Sequence, residues 1–318
     1  MIVKTLKDKI SFKGAAIFIK NISLNKKIIA MRNFNMILAF GLVFILLLAS
    51  CKKDSDIEFN EPAFKLEFMS GAVITENDLL YYDASSHLFH LKSEPDKNSL
   101  SDFSVMIYGD TIYQGKIISS FSSAFPNYPY YISDGFFQGA DLIMIGTTIG
   151  SGDLRNDERI LDLLRSRNKL RMGLSCWFQN ISVTHFCEHR STVNWEITIK
   201  NNDQVDYYIL DPQKMGEQDF LTYTSGYPLF VGSPAIKIWT GNNPDYYNVD
   251  IGSFSILPKN EKVTYSFSVD YHRIETGNYK VLSHFQGLRD REKLNITQKS
   301  GDIWVGALMF EDNNIAVQ

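Results

Sequence analysis

Of the 318 residues, 32 are basic and 36 acidic, but the bases are unevenly spread: residues 1–50 hold eight of them against a single acid. The remaining 268 residues carry 24 bases against 35 acids, a net charge near −11, which excludes nucleic acid and heparin-like polyanions as partners. That length suits two domains of ordinary size or one large all-β domain.

Residues 1–30 contain seven lysines against Asp8, too long a stretch for an export-signal n-region, whereas Met31-Arg32-Asn33 supplies one by itself. Translation is therefore expected to start at Met31, the alternative being an extended n-region or amphipathic arm. From Met36 to Ala49 runs an apolar stretch of about fourteen residues, short of the roughly twenty that span a bilayer. It has no polar position at helical spacing, as a buried core helix would, and it closes on Leu48-Ala49-Ser50-Cys51. This pattern resembles the lipobox of bacterial lipoproteins. The resemblance implies cleavage before Cys51 by signal peptidase II and acylation of Cys51 with palmitate-type chains. Membrane lipid is then the first partner, and the cell envelope, at the outer membrane, the location. Two or more acyl chains are needed for stable attachment, because one chain alone binds only marginally. Lys52-Lys53-Asp54, with Asp56 and Glu58, is a charged tether over 51–61 and resembles the lysine-acid cluster that accompanies surface exposure in some lipoprotein families.

The first folded stretch, 62–170, reads as a small α+β domain. Phe64-Lys65-Leu66-Glu67-Phe68 alternates as a strand. Thr75, ahead of Glu76, Asn77 and Asp78, has the chemistry of a helix cap and predicts a short helical turn through Leu79-Tyr82. Strands follow at Leu88–Leu91 and Phe103–Tyr108, the latter turning at Tyr108-Gly109-Asp110 into a hairpin partner. Phe125-Pro126-Asn127-Tyr128-Pro129-Tyr130-Tyr131 is an aromatic loop that either covers the sheet edge or stacks on a ligand. Leu142–Gly146 is a buried strand. Residues 157–170 form an amphipathic helix capped by Asn156, with a buried face at 160, 161, 163 and 164. Residues 72–170 resemble segments found ahead of immunoglobulin-like modules in bacterial lipoproteins.

Residues 171–318 show strands at regular spacing: Gly173–Phe178, Thr192–Lys200, Asp206–Leu210, Ala235–Thr240, Val263–Val269, Tyr279–Phe285 and Ile303–Phe310. In Val193–Lys200 the odd positions face a core and the even ones water. The strand, Leu257-Pro258 turn and alternating strand over Phe254–Phe267 resemble the bacterial immunoglobulin-like domains grouped with intracellular proteinase inhibitors and adhesion-type modules. The resemblance implies an antiparallel β-sandwich and leaves function open. The segment Asp211–Gly232 exceeds what a sandwich connection needs and reads as a binding loop or a covering flap. The fold class expected is thus mainly β: a signal and lipid anchor, a small α+β domain, then an immunoglobulin-like antiparallel β-sandwich.

Cys176 and Cys187 remain after acylation of Cys51, and an even pair in an exported chain predicts a disulfide, worth about 3 kcal/mol on the chain-entropy model. The rival readings are buried reduced thiols, or a metal site built from His185, Cys187 and His189 with Cys176. No hydrolase elbow, zinc-protease helix, phosphate loop or dinucleotide fingerprint occurs in the sequence. His87, His90, His272 and His284 are scattered singly; Asp153, Asp157 and Glu158 cluster near Gly150-Ser151-Gly152, where helix capping competes with calcium binding. The reading is a non-enzymatic envelope lipoprotein, without cofactor, that recognises a protein or glycan. The alternatives are a protease or hydrolase inhibitor acting through 211–232, or a metal-binding envelope protein.

Overall fold

Alternating side chains build most of this chain. The computed structural model describes residues 62–118, 128–133, 141–148, 152–232, 249, 251–288 and 302–318; Cys51, the expected leader and tether, residues 125–127, Gly150-Ser151 and the strand expected at 235–240 lie outside them. No helix among the described residues is long and apolar enough to cross a membrane.

The first half forms one large sheet. Its strands are β1 (Phe64–Phe68), β2 (Val73–Thr75), β3 (Leu79–Asp83), β4 (Leu88–Leu91), β5 (Phe103–Ile107), β6 (Asp110–Ile118), β7 (Tyr130–Ser133), β8 (Leu142–Thr147) and, after helix α1 (Glu158–Ser166), β9 (Leu170–Arg171). They lie in the order β2-β1-β5-β6-β7-β8-β4-β3-β9, antiparallel except where β6 meets β7 and β3 meets β9. The alternation read in β1 holds: Phe64, Leu66 and Phe68 are buried. The hairpin at Tyr108-Gly109 also holds, with both residues at positive φ (50° and 87°), the geometry of a two-residue turn whose twist matches its strands.

The helical turn expected after Thr75 does not form. Asp78 accepts from Thr75 N and from Thr75 Oγ1, both at 2.8 Å, closing a tight turn between β2 and β3. A Thr followed three residues later by an acid can satisfy a turn as well as a helix start. α1 buries Ile160, Leu161, Leu163 and Leu164 as expected, but its cap is Asp157, which accepts from Arg159 N. Asn156 instead donates to Ala84 O at 3.0 Å.

The second half comprises β10 (Leu174–Cys187), β11 (Arg190–Asn201), β12 (Tyr207–Leu210), helices α2 (Pro212–Met215) and α3 (Glu217–Thr224), then β13 (Leu229–Val231), β14 (Phe254–Leu257), β15 (Lys262–His272), β16 (Gly277–Gln286), β17 (Asp302–Ile303) and β18 (Ala307–Val317). They form three sheets, β10-β11-β15, β14-β12-β17 and β13-β16-β18, so the chain is mainly β with sandwich-like sheets. The strand expected at 303–310 is split, with Trp304 to Gly306 between β17 and β18.

The chain leaves the β10-β11-β15 sheet after β11 and returns to it through Pro258. Asn201 pins that crossing, donating from Nδ2 to Val205 O (2.7 Å) and Leu257 O (3.1 Å) while Oδ1 accepts from Asp203 N (2.9 Å). Aromatic rings join the facing sheets. Phe220 of α3 lies 5.7 Å from Phe267 at 11° and 6.2 Å from Phe285, and Phe178 meets Phe310 at 4.8 Å.

Glu61–Gln318 is one compact unit with two cores. One runs from Ala63 to Leu164; the other runs from Leu174 to Val317 and takes in Leu88 and Leu142. Gly173 sits at the joint with φ 62°, where an added Cβ would lie 2.1 Å from Ser85 Oγ and 2.4 Å from Asp83 Oδ1. Only a residue without a side chain fits there.

Candidate functional site

The most regular polar surface lies on the β10-β11-β15 sheet. In β11, Val193, Trp195, Ile197 and Ile199 are buried, and the residues between them point to the opposite face. Register aligns Thr198 with Thr264, Glu196 with Ser266, Asn194 with Ser268 and Thr192 with Asp270 of β15. Each pair is closed by a side-chain hydrogen bond. Thr198 Oγ1 and Thr264 Oγ1 are 2.8 Å apart, and Ser266 Oγ donates to Glu196 Oε1 at 3.2 Å. Ser268 Oγ donates to Asn194 Oδ1 and Thr192 Oγ1 to Asp270 Oδ1, both at 2.8 Å. Four consecutive rungs are therefore tied across the same two strands. Each such pair stabilises the sheet by about 0.2–1 kcal/mol and, more to the point, holds short side chains in one arrangement.

β10 extends the ladder on its other side. Asn180 Nδ2 donates to Glu196 Oε2 at 2.5 Å, so both Glu196 oxygens are engaged. A bulge between Phe178 and Asn180 inserts one residue, which puts Trp177, opposite Thr198, on the same face as Asn180, opposite Glu196. Trp177 is half-buried there. Asn180, Ser182, Asn194, Glu196, Ser266 and Ser268 line an open cleft of about 380 Å³, with Trp195 and Phe267 behind them. Glu217, the first residue of α3, closes its rim, accepting from Ser268 N at 3.3 Å. The lining holds two carboxylates and no lysine or arginine.

The disulfide expected between Cys176 and Cys187 is not formed; both thiols are free. They sit on one strand, eleven residues apart, or about 35 Å at the rise of an extended chain, against a Cα separation below about 7 Å for a disulfide. Cys176 is half-buried and burial pushes its thiol up, whereas Cys187 is exposed. The metal set is not assembled either: among the described residues no three His, Cys, Asp or Glu side chains converge. A bulge between His185 and Cys187 breaks the expected alternation, His185 Nδ1 lies 3.0 Å from Ser191 Oγ, and His189 is in the turn beyond.

Asp211–Gly232 is a packed segment rather than a protruding loop. Asp211 caps α2 through Gln213 N at 2.9 Å, and Phe220, Leu221, Tyr223, Tyr227 and Phe230 are buried. Tyr130 and Tyr131, expected in an aromatic loop, instead belong to β7, an interior strand of the sheet, and the buried Tyr130 ring lies 4.4 Å from Tyr113. Tyr128 takes Lys116 Nζ over its ring at 4.3 Å.

Of the scattered acids and histidines, Asp153 and His87 meet around Arg155 in a partly buried cluster. Asp153 binds Arg155 through Nε and Nη2, and Arg155 Nη1 donates to Ile145 O at 2.8 Å. Burial opposes ionisation of Asp153, but those hydrogen bonds hold its carboxyl below the usual range. The Tyr82 hydroxyl lies 3.1 Å from His87 Nδ1 and 3.0 Å from Arg155 O. Burial, helped by the Arg155 charge, lowers His87 to about 3. His90 is buried with its ring stacked on Tyr81 at 4.1 Å, and His272 and His284 are exposed on separate sheets. These arrangements hold structure together.

Compared with known protein families, curated proteins and solved structures, the chain matches none. The ladder went unread in the sequence although its signal was present. Thr192-x-Asn194-x-Glu196-x-Thr198 and Thr264-x-Ser266-x-Ser268-x-Asp270 are two outward runs of short polar residues without a lysine.

Proposed function

We propose that this protein is a lipid-anchored component of the cell envelope that acts by binding, with no catalytic step of its own. The anchor is Cys51, and the location is the outer membrane with the folded part at the surface. The Leu48-Ala49-Ser50-Cys51 sequence after a short apolar run, followed at once by a charged tether, supports the anchor. The Ala63–Leu164 core belongs to an α+β domain over 62–170, and 171–318 is an immunoglobulin-like sandwich in this reading.

The observation that carries the binding role is the cross-strand ladder on β10-β11-β15. A row of short polar side chains fixed by its own hydrogen bonds has little rotamer freedom left to lose, so a partner's polar groups meet donors and acceptors already in place. Glu196, the most central acid, has both oxygens committed to Asn180 and Ser266, which favours holding a ligand over exchanging protons with one. The inhibitor alternative is weakened by Asp211–Gly232, which has no exposed loop of the kind that enters a protease cleft.

The test is metabolic labelling with palmitate in a diderm bacterial host, comparing the native chain with Cys51→Ala. Label on the native chain alone, together with envelope components that co-purify with it and are lost on Ser268→Arg, is the expected result. An unlabelled native chain with its leader still attached would overturn the anchor, and co-purification indifferent to Ser268→Arg would overturn the binding face.

A further inference from the structure

We infer that the cleft on β10-β11-β15 binds an uncharged saccharide, with Trp177 as the platform for a sugar ring. This rests on the preceding reading that the protein works by binding at this face.

The chemistry of the lining selects the ligand. Six of its outward side chains are Ser, Asn or Glu, all short hydrogen-bonding groups and none of them an aliphatic or aromatic anchor. Trp195 and Phe267, the aromatic residues of the lining, are buried, so an apolar ligand or a hydrophobic hot spot of a protein partner meets no exposed aromatic or aliphatic side chain of the lining. Phosphate, sulfate and carboxylate ligands are repelled by like charge, and the cleft offers Glu196 and Glu217 with no arginine or lysine to offset them. What remains is a neutral molecule rich in hydroxyls, each able to donate and to accept. Held in the ladder, Asn180 still presents Oδ1 as an acceptor and Asn194 presents Nδ2 as a donor, while Ser266 and Ser268, whose protons are committed, keep lone pairs to accept with.

Trp177 supplies the missing element. The Trp177–Thr198–Thr264 rung is the one next to Asn180–Glu196–Ser266, two residues along the strands and so about 6.8 Å away, a separation that a saccharide of two or more rings spans. A sugar ring presents C–H groups on one face and hydroxyls at its rim. It can therefore lie against the indole while the next ring reaches the Asn and Ser side chains. The bulge at Gln179 produces this juxtaposition, since an unbroken strand would carry Trp177 and Asn180 on opposite faces.

The test uses the full chain purified in detergent, followed by tryptophan fluorescence and calorimetry. The probes are cellotetraose, maltotetraose and tetra-N-acetylchitotetraose, with a heparin-derived tetrasaccharide as the anionic comparison. At least one neutral tetrasaccharide is expected to bind with Kd below ~1 mM, and the heparin fragment at least about tenfold more weakly. Trp177→Ala is expected to weaken binding by about tenfold or more, and Asn194→Arg, on an exposed position that leaves the core untouched, to abolish it. Met309→Ser on the β13-β16-β18 sheet should leave binding unchanged. The inference is overturned if no neutral probe binds up to about 10 mM, if Asn194→Arg binds as well as the native chain, or if the anionic probe binds better. Envelope proteins lost on Ser268→Arg, with no saccharide binding, would overturn the saccharide and leave the binding role standing.

Discussion

Trp304 Nε1 donates to Asp83 Oδ2 at 3.0 Å, joining two buried residues that lie 221 positions apart in the chain. Asp83 is also held by Ser85 N (2.8 Å), Ser85 Oγ (2.6 Å) and Ser86 N (3.1 Å), all on Oδ1, so Trp304 is the donor shown on Oδ2. Burial raises the Asp83 carboxyl above its ordinary value, and these donors oppose that rise. The contact ties the first core to the second, because Asp83 ends β3 and Trp304 stacks on Phe285 at 5.6 Å.

Trp304→Phe keeps the ring and removes the donor. A buried acceptor left without its partner costs about 1–3 kcal/mol, and more if it is charged. With the folded pKa raised, Asp83 contributes most stability in acid and loses it as pH rises through the folded value, when the buried carboxyl must ionise. Removing Trp304 Nε1 deprives the ionised form most. The loss on Trp304→Phe should therefore be larger at pH 7.5 than at pH 4.5, as read from urea unfolding midpoints at the two pH values.

His87 has the opposite sign. Its folded value of about 3 lies below the ordinary one, so the unfolded chain takes up a proton that the folded chain refuses. Stability from this group is complete above about pH 6.5 and falls by up to about 1.4 kcal/mol for each unit below that. His87 also sits at φ 54°, which Asn tolerates well. His87→Asn should flatten the decline of the urea midpoint between pH 6.5 and 4; a variant that declines as steeply as the native chain would assign acid sensitivity elsewhere.

Glu76 holds the start of β1. Buried itself, it accepts from Ala63 N at 3.0 Å and Phe64 N at 3.1 Å, one bond to each carboxylate oxygen. Charge-assisted bonds of this kind contribute about 1.5–3 kcal/mol each. Glu76→Gln keeps the shape but can satisfy only one of the two N–H groups with its carbonyl, and Glu76→Ala neither. Hydrogen exchange at residues 63–68 should quicken in the order native, Gln, Ala, with α1 as an internal reference that stays protected.

Glu76 also shows where sequence reasoning stops. The capping chemistry of Thr75 and Asp78 points Glu76 to a helix start, and only the distant Ala63 and Phe64 reveal its use. Local signals were sufficient where one strand or one helix decides the outcome, as in β1, the Tyr108-Gly109 turn, the β11 alternation and the buried face of α1. They failed where the answer depends on which strand lies beside which. The Glu196–Ser266 and Asn194–Ser268 rungs require the β11–β15 register, and Trp177 joins their face only through a bulge that periodicity does not announce.

On β10 the Cys176 and Cys187 thiols are too far apart to bond and differ in reactivity, since attack on a labelling reagent needs the thiolate. Burial raises Cys176 and shields it, while Cys187 is exposed at the hairpin end beside Phe186, itself 82% exposed. A maleimide should therefore modify Cys187 rapidly in the native protein without prior reduction, and Cys176 only after unfolding. Cys187→Ser should leave the urea midpoint unchanged. Loss of about 3 kcal/mol on that substitution, the contribution expected of a disulfide closing so short a loop, would mean that β10 is not continuous through both residues.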